Sequence, residues 1–462
     1  MPEDVVAAAP FLEPSTAVAA PTLSTPEQAG KSYGPVQPEE RIALIDALRG
    51  VALFGIIAAN MRGFAGPFDA YMRPNLVWQT RTDFWVQAFV DTFIQGKFIT
   101  LFAFLFGVGF VLQFTRAESR QARFVPTYRR RLEALILLGA LHQLLFWWGD
   151  ILVTYGLGGF LLILFRKRQN ETILRWVLLL MLLPGAGMSG YILFRTAKPQ
   201  TPQRLEQAKK RHAEDEKKEQ LERRKAIQVY QTGNYVQVFR QRLQELPRVD
   251  KIQPGAVALT FPIFLLGLWV FRQGIFQDPA GNRGRLRKAL LLGLLIGIPA
   301  NVAATWLQHI VQARPSIGGP TTLMVISVTL SLFARPTLSM AYAGAVALLF
   351  LNETWRRRLL PFAAIGRTAL SNYLLQTIVC TTIFYGYGGG LFARIHLAAL
   401  FVLSVAIFAL QVPLSQWWLG HHRFGPTEWL WRTLTYGKPP STKSLESDPR
   451  YAEFLKKMRL PS

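Results

Sequence analysis

Residues 41–62, RIALIDALRGVALFGIIAANMR, are apolar over nearly the whole length of a bilayer-crossing helix, yet they carry Asp46 and Arg49 close to their start. A helix needs about 20 apolar residues to span the hydrocarbon core. A charge at mid-bilayer costs about 2.5–3.5 kcal/mol on insertion scales, so such residues turn inward and pair. At spacing i, i+3 an aspartate and an arginine share one helix face and can pair with each other. Two readings stay open: an ion pair at a helix end near the headgroups, or the lining of a buried polar site.

Comparable apolar runs recur along the 462 residues, half of which are hydrophobic. Helices satisfy every backbone polar group within the segment, which lipid demands. The expected fold is therefore an all-α polytopic membrane bundle, in contact with the lipid bilayer, and not a soluble multidomain protein. The net charge of +24 would suit a nucleic-acid partner, but the basic residues sit in short clusters between apolar runs. That distribution is expected of cytoplasmic loops facing anionic lipid, so no nucleic-acid partner is expected. One cysteine, Cys380, excludes an internal disulfide and any cysteine-based metal site.

Residues 1–40 are rich in Ala, Pro, Thr and Ser and are expected to be a disordered cytoplasmic tail without a signal-peptide pattern. A second apolar segment, 97–114, follows an amphipathic lead-in from Asp83 to Gln95 and ends in Arg116, Arg120, Arg123 and Arg129–Arg131. The positive-inside rule puts that block in the cytoplasm. Helices three (132–148) and four (151–165) are joined by a tight turn at Gly149–Asp150. Helix five (173–194) reads as interrupted at Pro184, Gly185 and Gly187. Residues 197–252 form a charged hydrophilic insertion, expected outside, with an exposed helix from Arg204 to Ala226. Helix six is expected over 254–271 and helix seven over 289–311. The stretch 321–351 is split by Arg335–Pro336, as a re-entrant half plus a span or as one long broken helix. Crossings at 362–385 and 397–417 complete about ten, with both termini inside. The membrane domain is expected over 41–438 and a cytoplasmic tail over 439–462.

Five stretches carry a family resemblance: IDALRGVALFGIIAANM, KFITLFAFLFGVGF, LHQLLFWWGDILVTYGL, residues 366–392 and residues 424–438. Together they resemble the YeiB family of bacterial membrane proteins over most of 41–438, which implies a multi-pass protein of the bacterial inner membrane. The chain is also similar to transmembrane acyltransferases, including heparan-glucosaminide acetyltransferases, through an Asp-x-x-Arg-Gly motif, here Asp46, Arg49 and Gly50. That resemblance implies transfer of an acyl group from a cytoplasmic thioester, such as acyl-coenzyme A, to an envelope or small-molecule acceptor. In those proteins the catalytic histidine lies in or just after the first helix; here no histidine occurs between Arg41 and Leu141.

The first histidine is His142, with Asp150 eight residues on. The turn can fold Asp150 back beside the imidazole, making a general base for an acceptor hydroxyl or amine. The alternative is a histidine hydrogen-bonded within the bundle and an Asp150 that caps helix four. Further intramembrane polar residues are Asn60, Asp91, Lys97, Asn301 and His309. Asn372 and Gln376, at i, i+4, would act as interhelical glue or hold substrate polar groups. In FGPTEWLWRTLTY, Glu428 and Arg432 are spaced for a helical ion pair, and Trp429 and Trp431 suit an interfacial helix. Arg432, Arg49 and the Arg129–Arg131 block would also suit the mouth for a phosphate-bearing donor, since guanidinium binds phosphate in a bidentate fork. The candidate donor or substrate residues are thus Asp46, Arg49, Asn60, Lys97, Asn372, Gln376, Glu428 and Arg432. Walker, GxSxG, HExxH and CxxC motifs are missing, and no metal role is expected. A transporter whose midplane site is formed by Asp46–Arg49 and the broken segments at Pro184–Gly185 and Arg335–Pro336, or a non-catalytic scaffold, are the other function classes.

Overall fold

A computed structural model describes residues 42–196, 202–313 and 322–440, and these form helices joined by turns with no strand among them. The tail expected over 1–40, and nearly all of that expected over 439–462, lie outside the described residues. In chain order the first helices are α1 (Ala43–Ala65), α2 (Phe68–Met72), α3 (Arg81–Phe93), α4 (Lys97–Ser119), α5 (Phe124–Leu145) and α6 (Leu152–Ile163). Next come α7 (Asn170–Thr196), α8 (Pro202–Thr232), α9 (Tyr235–Arg272), α10 (Arg283–Leu292) and α11 (Ile298–Ala313). The last are α12 (Thr322–Phe350), α13 (Glu353–Arg367), α14 (Ala369–Phe384), α15 (Leu397–His421) and α16 (Pro426–Tyr436).

Among the described residues, seven helical runs are long and apolar enough to cross a membrane: α1, α3–α4, α7, α9, α10–α11, α12 and α15. α6 and α14 are apolar but shorter, and α5 carries Arg129–Arg131 in its first half. The chain is a multi-pass helical membrane protein.

Helix α1 is the central element. It packs against α13, α4, α15 and α14, and most of its residues are buried. Its closest neighbour is α13, and the reason is steric. A Cβ at Gly50 would lie 2.0 Å from the carbonyl oxygen of Phe362, and one at Gly366 would lie 1.8 Å from that of Asp46. The two backbones therefore touch at a reciprocal pair of glycines. Small residues at such crossings let packing drive association where lipid offers no hydrophobic force.

Three expectations about chain breaks are corrected. Pro184 and Pro336 lie inside continuous helices, α7 and α12, so neither segment is broken and 322–350 is one long helix. Proline is tolerated in membrane helices because neighbours and local adjustment satisfy the freed carbonyl. Conversely, the run from Asp83 through 114 is two helices. α3 is closed at its start by a capping box between Thr80 and Asp83, and Gly96 (φ +82°) turns the chain into α4. A positive φ of that size favours glycine. Helix α1 also continues past Asn60 to Ala65, and the 362–385 segment is divided into α13 and α14 at Thr368.

The charged insertion is not a loop. α8 is a mainly exposed charged helix, as expected, while α9 begins at Tyr235, capped by Asn234, and runs unbroken into the apolar segment. The insertion docks onto the bundle. Arg223 pairs with Asp69, Arg73 with Glu219 (3.0 Å), and the buried Tyr230 hydroxyl donates to Glu245 (2.9 Å). The main-chain oxygen of Tyr230 accepts from Gly386 N (2.7 Å) in the glycine-rich turn after α14. Burial, above all, pushes the Tyr230 hydroxyl well above its usual pKa, and the Glu245 carboxylate adds to this. The basic turns gather elsewhere: Arg272 donates to the carbonyls of Arg166 (2.5 Å) and Arg168 (2.6 Å), and Trp431 Nε1 to that of Arg131 (2.8 Å).

Gly50→Leu should prevent α1 and α13 from closing. Overpacking typically costs about 1–3 kcal/mol, and here the obstacle is backbone. The expected result is loss of the monodisperse peak in detergent gel filtration, while Gly187→Leu, where a Cβ meets nothing within 4 Å, should behave as wild type.

Candidate functional site

The α1–α13 contact places the start of α14 beside the Asp46–Arg49 face of α1, and α16 folds over both. Between them, α4, α5 and α6 lies a cavity of about 170 Å³. One part of its wall is charged: Asp46 and Arg49 from α1, Arg131 from α5, Arg367 from α13, Glu428 and Arg432 from α16. The rest is apolar and aromatic, with Phe102, Phe106, Ile151, Leu152, Tyr155 and Tyr373.

Within the charged part, Arg49 Nη1 donates to Asp46 Oδ1 (3.1 Å). Asp46 is nearly buried, whereas the Arg49 side chain is 29% exposed. The guanidinium of Arg131 lies over the Trp431 ring at 3.7 Å, and that of Arg432 over Phe424 at 4.3 Å. Each such stack is worth about 0.5–2 kcal/mol depending on solvation. These contacts hold the planar guanidinium faces on rings, so that hydrogen bonding is left to their edges. Arg432 Nη1 donates to the main-chain oxygen of Glu428 (3.1 Å).

Glu428 is used differently from the helical ion pair read from its spacing. It is buried, and its Oε1 accepts from Leu370 N (2.6 Å) and Ser371 N (3.2 Å), while the Ser371 hydroxyl donates to Oε2. It therefore caps α14 from another helix, answering N–H groups that have no partner within their own helix. Burial is the largest influence on its carboxyl and pushes the pKa above the usual value, against the Ser371 hydrogen bonds and Arg432, which lower it.

His142 is 2% exposed and both ring nitrogens are engaged: Nδ1 with Asp150 Oδ2 (2.8 Å) and Nε2 with Thr377 Oγ1 (3.0 Å). Asp150 is at once the histidine's partner and a cap, because its Oδ1 accepts from Val153 N (3.0 Å) at the start of α6. Asp150 thus lies beside the imidazole and caps α6 at the same time. His142 is not among the residues lining the cavity. Its neighbour Tyr373 is: the Tyr373 ring lies 5.2 Å from the imidazole and its hydroxyl donates to Gly149 O (3.3 Å). One aromatic ring separates the histidine from the cavity.

The other candidate residues lie apart from it. Asn372 and Gln376 join α14 to α15, through Asn372 Nδ2 to Ser415 Oγ (2.9 Å) and Gln376 Nε2 to Gln411 Oε1 (2.8 Å). That is interhelical glue. Asn60 is half-buried on α1 and is not part of the cavity wall. Lys97 is fully buried at the α3–α4 joint, donating to Asp91 O (2.6 Å) within a separate polar cluster. Arg367 and Tyr373, which line the cavity, were not singled out from the sequence. Arg367 follows Gly366 directly, so the glycine that marks the α1–α13 contact was the available signal.

Fold and site together define a polytopic α-helical membrane protein with an arginine-lined cavity among its helices. The chain belongs to the YeiB family: it is 35% identical over 422 residues to the uncharacterised protein YxaH of Bacillus subtilis (strain 168), covering 88% of this chain and 96% of that one. It is 30% identical over 413 residues to the uncharacterised protein YeiB of Escherichia coli (strain K12), covering 86% and 96%. An uncharacterised 39.9 kDa protein in the amylase 3′ region of Bacillus acidopullulyticus is 28% identical over 407 residues. Residues 270–438 match the family described as a protein of unknown function, DUF418. No solved structure matches the chain significantly.

Glu428→Ala strands the N–H groups of Leu370 and Ser371, at about 1–3 kcal/mol for a buried unsatisfied group, and should lower Tm, whereas Glu428→Gln keeps an acceptor and should lower it less. Because the folded-state pKa is raised, folding disfavours the ionised carboxylate relative to the unfolded chain. Its stabilising contribution is full below about pH 4.5 and declines as pH rises through the folded value. Relative to Glu428→Gln, the wild-type Tm should therefore fall as pH rises above that point, which a thermal-shift series in detergent will check.

Proposed function

We propose that the arginine-lined cavity binds the phosphate-bearing part of an acyl thioester such as acyl-coenzyme A, and that the protein is a membrane acyltransferase. The observation that carries this reading is the charge of the wall: Arg49, Arg131, Arg367 and Arg432 against Asp46 and Glu428, with Glu428 already committed to capping α14. Guanidinium forks match phosphate oxygens, and four arginines line this wall. The basic turns on the same part of the bundle, read by the positive-inside rule, support a cytoplasmic mouth, where thioester donors occur. Both termini are then inside, in a bundle of about ten crossings.

The apolar portion of the cavity, between Phe102, Phe106 and Tyr373, suits an acyl chain entering behind the phosphates. In the transfer itself, an acceptor oxygen or nitrogen attacks the thioester carbonyl carbon, the C–S bond breaks, and the thiolate leaves. The acceptor's proton needs a base. His142 is the candidate, with Asp150 holding its Nδ1–H and thereby leaving Nε2 as the acceptor atom. In the resting arrangement Nε2 faces Thr377, so this role needs the Thr377 hydroxyl and the Tyr373 ring to turn aside. The transport reading keeps the Asp46–Arg49 pair but loses the two broken segments, because α7 and α12 run through Pro184 and Pro336 without a break.

Purified protein titrated with acyl-coenzyme A by calorimetry should show saturable binding that weakens at least tenfold in Arg49→Gln and Arg432→Gln. His142→Gln should bind the donor normally and fail to transfer it. Binding that is absent, or unchanged in both arginine variants, would overturn the proposal.

A further inference from the structure

A second concentration of charge lies away from that cavity, where α1, the α3–α4 joint, α11 and α12 meet. Asp91 is its carboxylate. Arg62 Nη2 donates to Asp91 Oδ1 (2.8 Å), His309 Nε2 lies 3.6 Å from Oδ2, and Lys97 Nζ donates to the Asp91 main-chain oxygen (2.6 Å). Asp91 is thus occupied. Arg62 and Lys97 are buried, and Arg62 Nε has no hydrogen-bond partner among the described residues.

Arg335 is a third cation near this cluster, its stem against Gly96, the residue before Lys97. It sits at the middle of the 29-residue α12. Among the described residues none makes a hydrogen bond or ion pair with its side chain. Its stem lies against Gly96, where an added Cβ would come within 2.9 Å of Arg335 Cδ. The left-handed glycine that separates α3 from α4 therefore also makes room for this arginine. Two arginines and a lysine gather near one carboxylate inside an apolar bundle, and a buried surplus charge of this kind is costly unless something neutralises it.

The Arg335 side chain lines a cavity of about 240 Å³ between α4, α7, α9 and α12. Beyond Arg335 the wall is mostly aliphatic, with Leu180, Met181, Leu259 and Leu332. Leu259 is 46% exposed, so the cavity reaches the lipid-facing surface. A cation at one place and an aliphatic wall open to the bilayer at another fit one class of ligand.

We propose that this cavity is a binding site for a single-chain anionic amphiphile of the fatty-acid type, its carboxylate on Arg335 and its chain along the α7–α9 wall. The carboxylate supplies the missing counter-charge through a bidentate pair with the guanidinium. The chain replaces lipid contacts among leucines. The cavity, about 240 Å³ and open to the lipid-facing surface, holds the first part of one chain, with the rest lying along the open wall. The site does not depend on the acyltransferase reading, and its ligand enters from the bilayer.

The test is equilibrium binding of radiolabelled oleate to the delipidated full-length protein in detergent. Saturable binding is expected, with affinity falling at least tenfold in Arg335→Gln. Oleyl alcohol, which has the chain without the charge, should compete at least tenfold more weakly than unlabelled oleate. Ala256→Phe, which fills the wall and leaves Arg335 in place, should also abolish binding and decides the matter if the arginine variant does not fold. Equal competition by oleyl alcohol, or oleate binding unchanged in Ala256→Phe, would overturn the proposal. Competition by phosphatidylglycerol as strong as by oleate would overturn the single-chain assignment.

Discussion

The backbone contact between α1 and α13 at Gly50 and Gly366 sets the position of everything in the charged cavity. With no Cβ on either glycine, the carbonyl of Asp46 lies against Gly366, and the next residue, Arg367, arrives beside Arg49. The chain then restarts as α14, whose exposed N–H groups are answered by Glu428. That bond in turn fixes α16, and α16 supplies Arg432 and Trp431. One steric allowance thus brings six charged side chains from four helices to one wall. In lipid, where apolar association carries little driving force, close small-residue packing of this kind decides which polar groups meet.

Much of the architecture was legible in the sequence because lipid imposes a single strong rule on apolar runs. The all-α bundle, the Asp46–Arg49 pair and the exposed charged helix of the insertion follow from run length, helical spacing and composition. The chain breaks were read less well. Pro184 and Pro336 looked like interruptions, yet a membrane bundle keeps helices continuous through proline, while the one true break in the second segment is Gly96, an isolated glycine without a flanking turn signal. Glu428 and Arg432 show the same limit. An i, i+4 pair is worth about 0.2–0.5 kcal/mol, and the demand of a buried helix start outweighs it. Arg367 and Tyr373 became visible only once the helices were placed.

Two polar regions now divide the intramembrane charges between them, and they differ in kind. In the first, arginine faces are held on Trp431 and Phe424 with hydrogen bonding left to their edges, which suits a multiply charged ligand arriving from water. In the second, Arg62, Lys97 and Arg335 gather near Asp91 beside an aliphatic wall, which suits a single charge arriving from lipid. Ile151 lines both cavities, so a side chain in the α5–α6 turn, next to the His142–Asp150 pair, stands between them. The histidine is buried beside that turn and lines neither cavity.

The central claim is that the Arg49–Arg432 wall receives a phosphate-bearing thioester. Electron cryomicroscopy of the protein in nanodiscs with a non-hydrolysable acyl-coenzyme A analogue tests it most directly. The account predicts density for the phosphates against Arg49, Arg131, Arg367 and Arg432, with the acyl portion reaching Tyr373. Density confined to another part of the protein, or an empty cavity at saturating analogue, would contradict it.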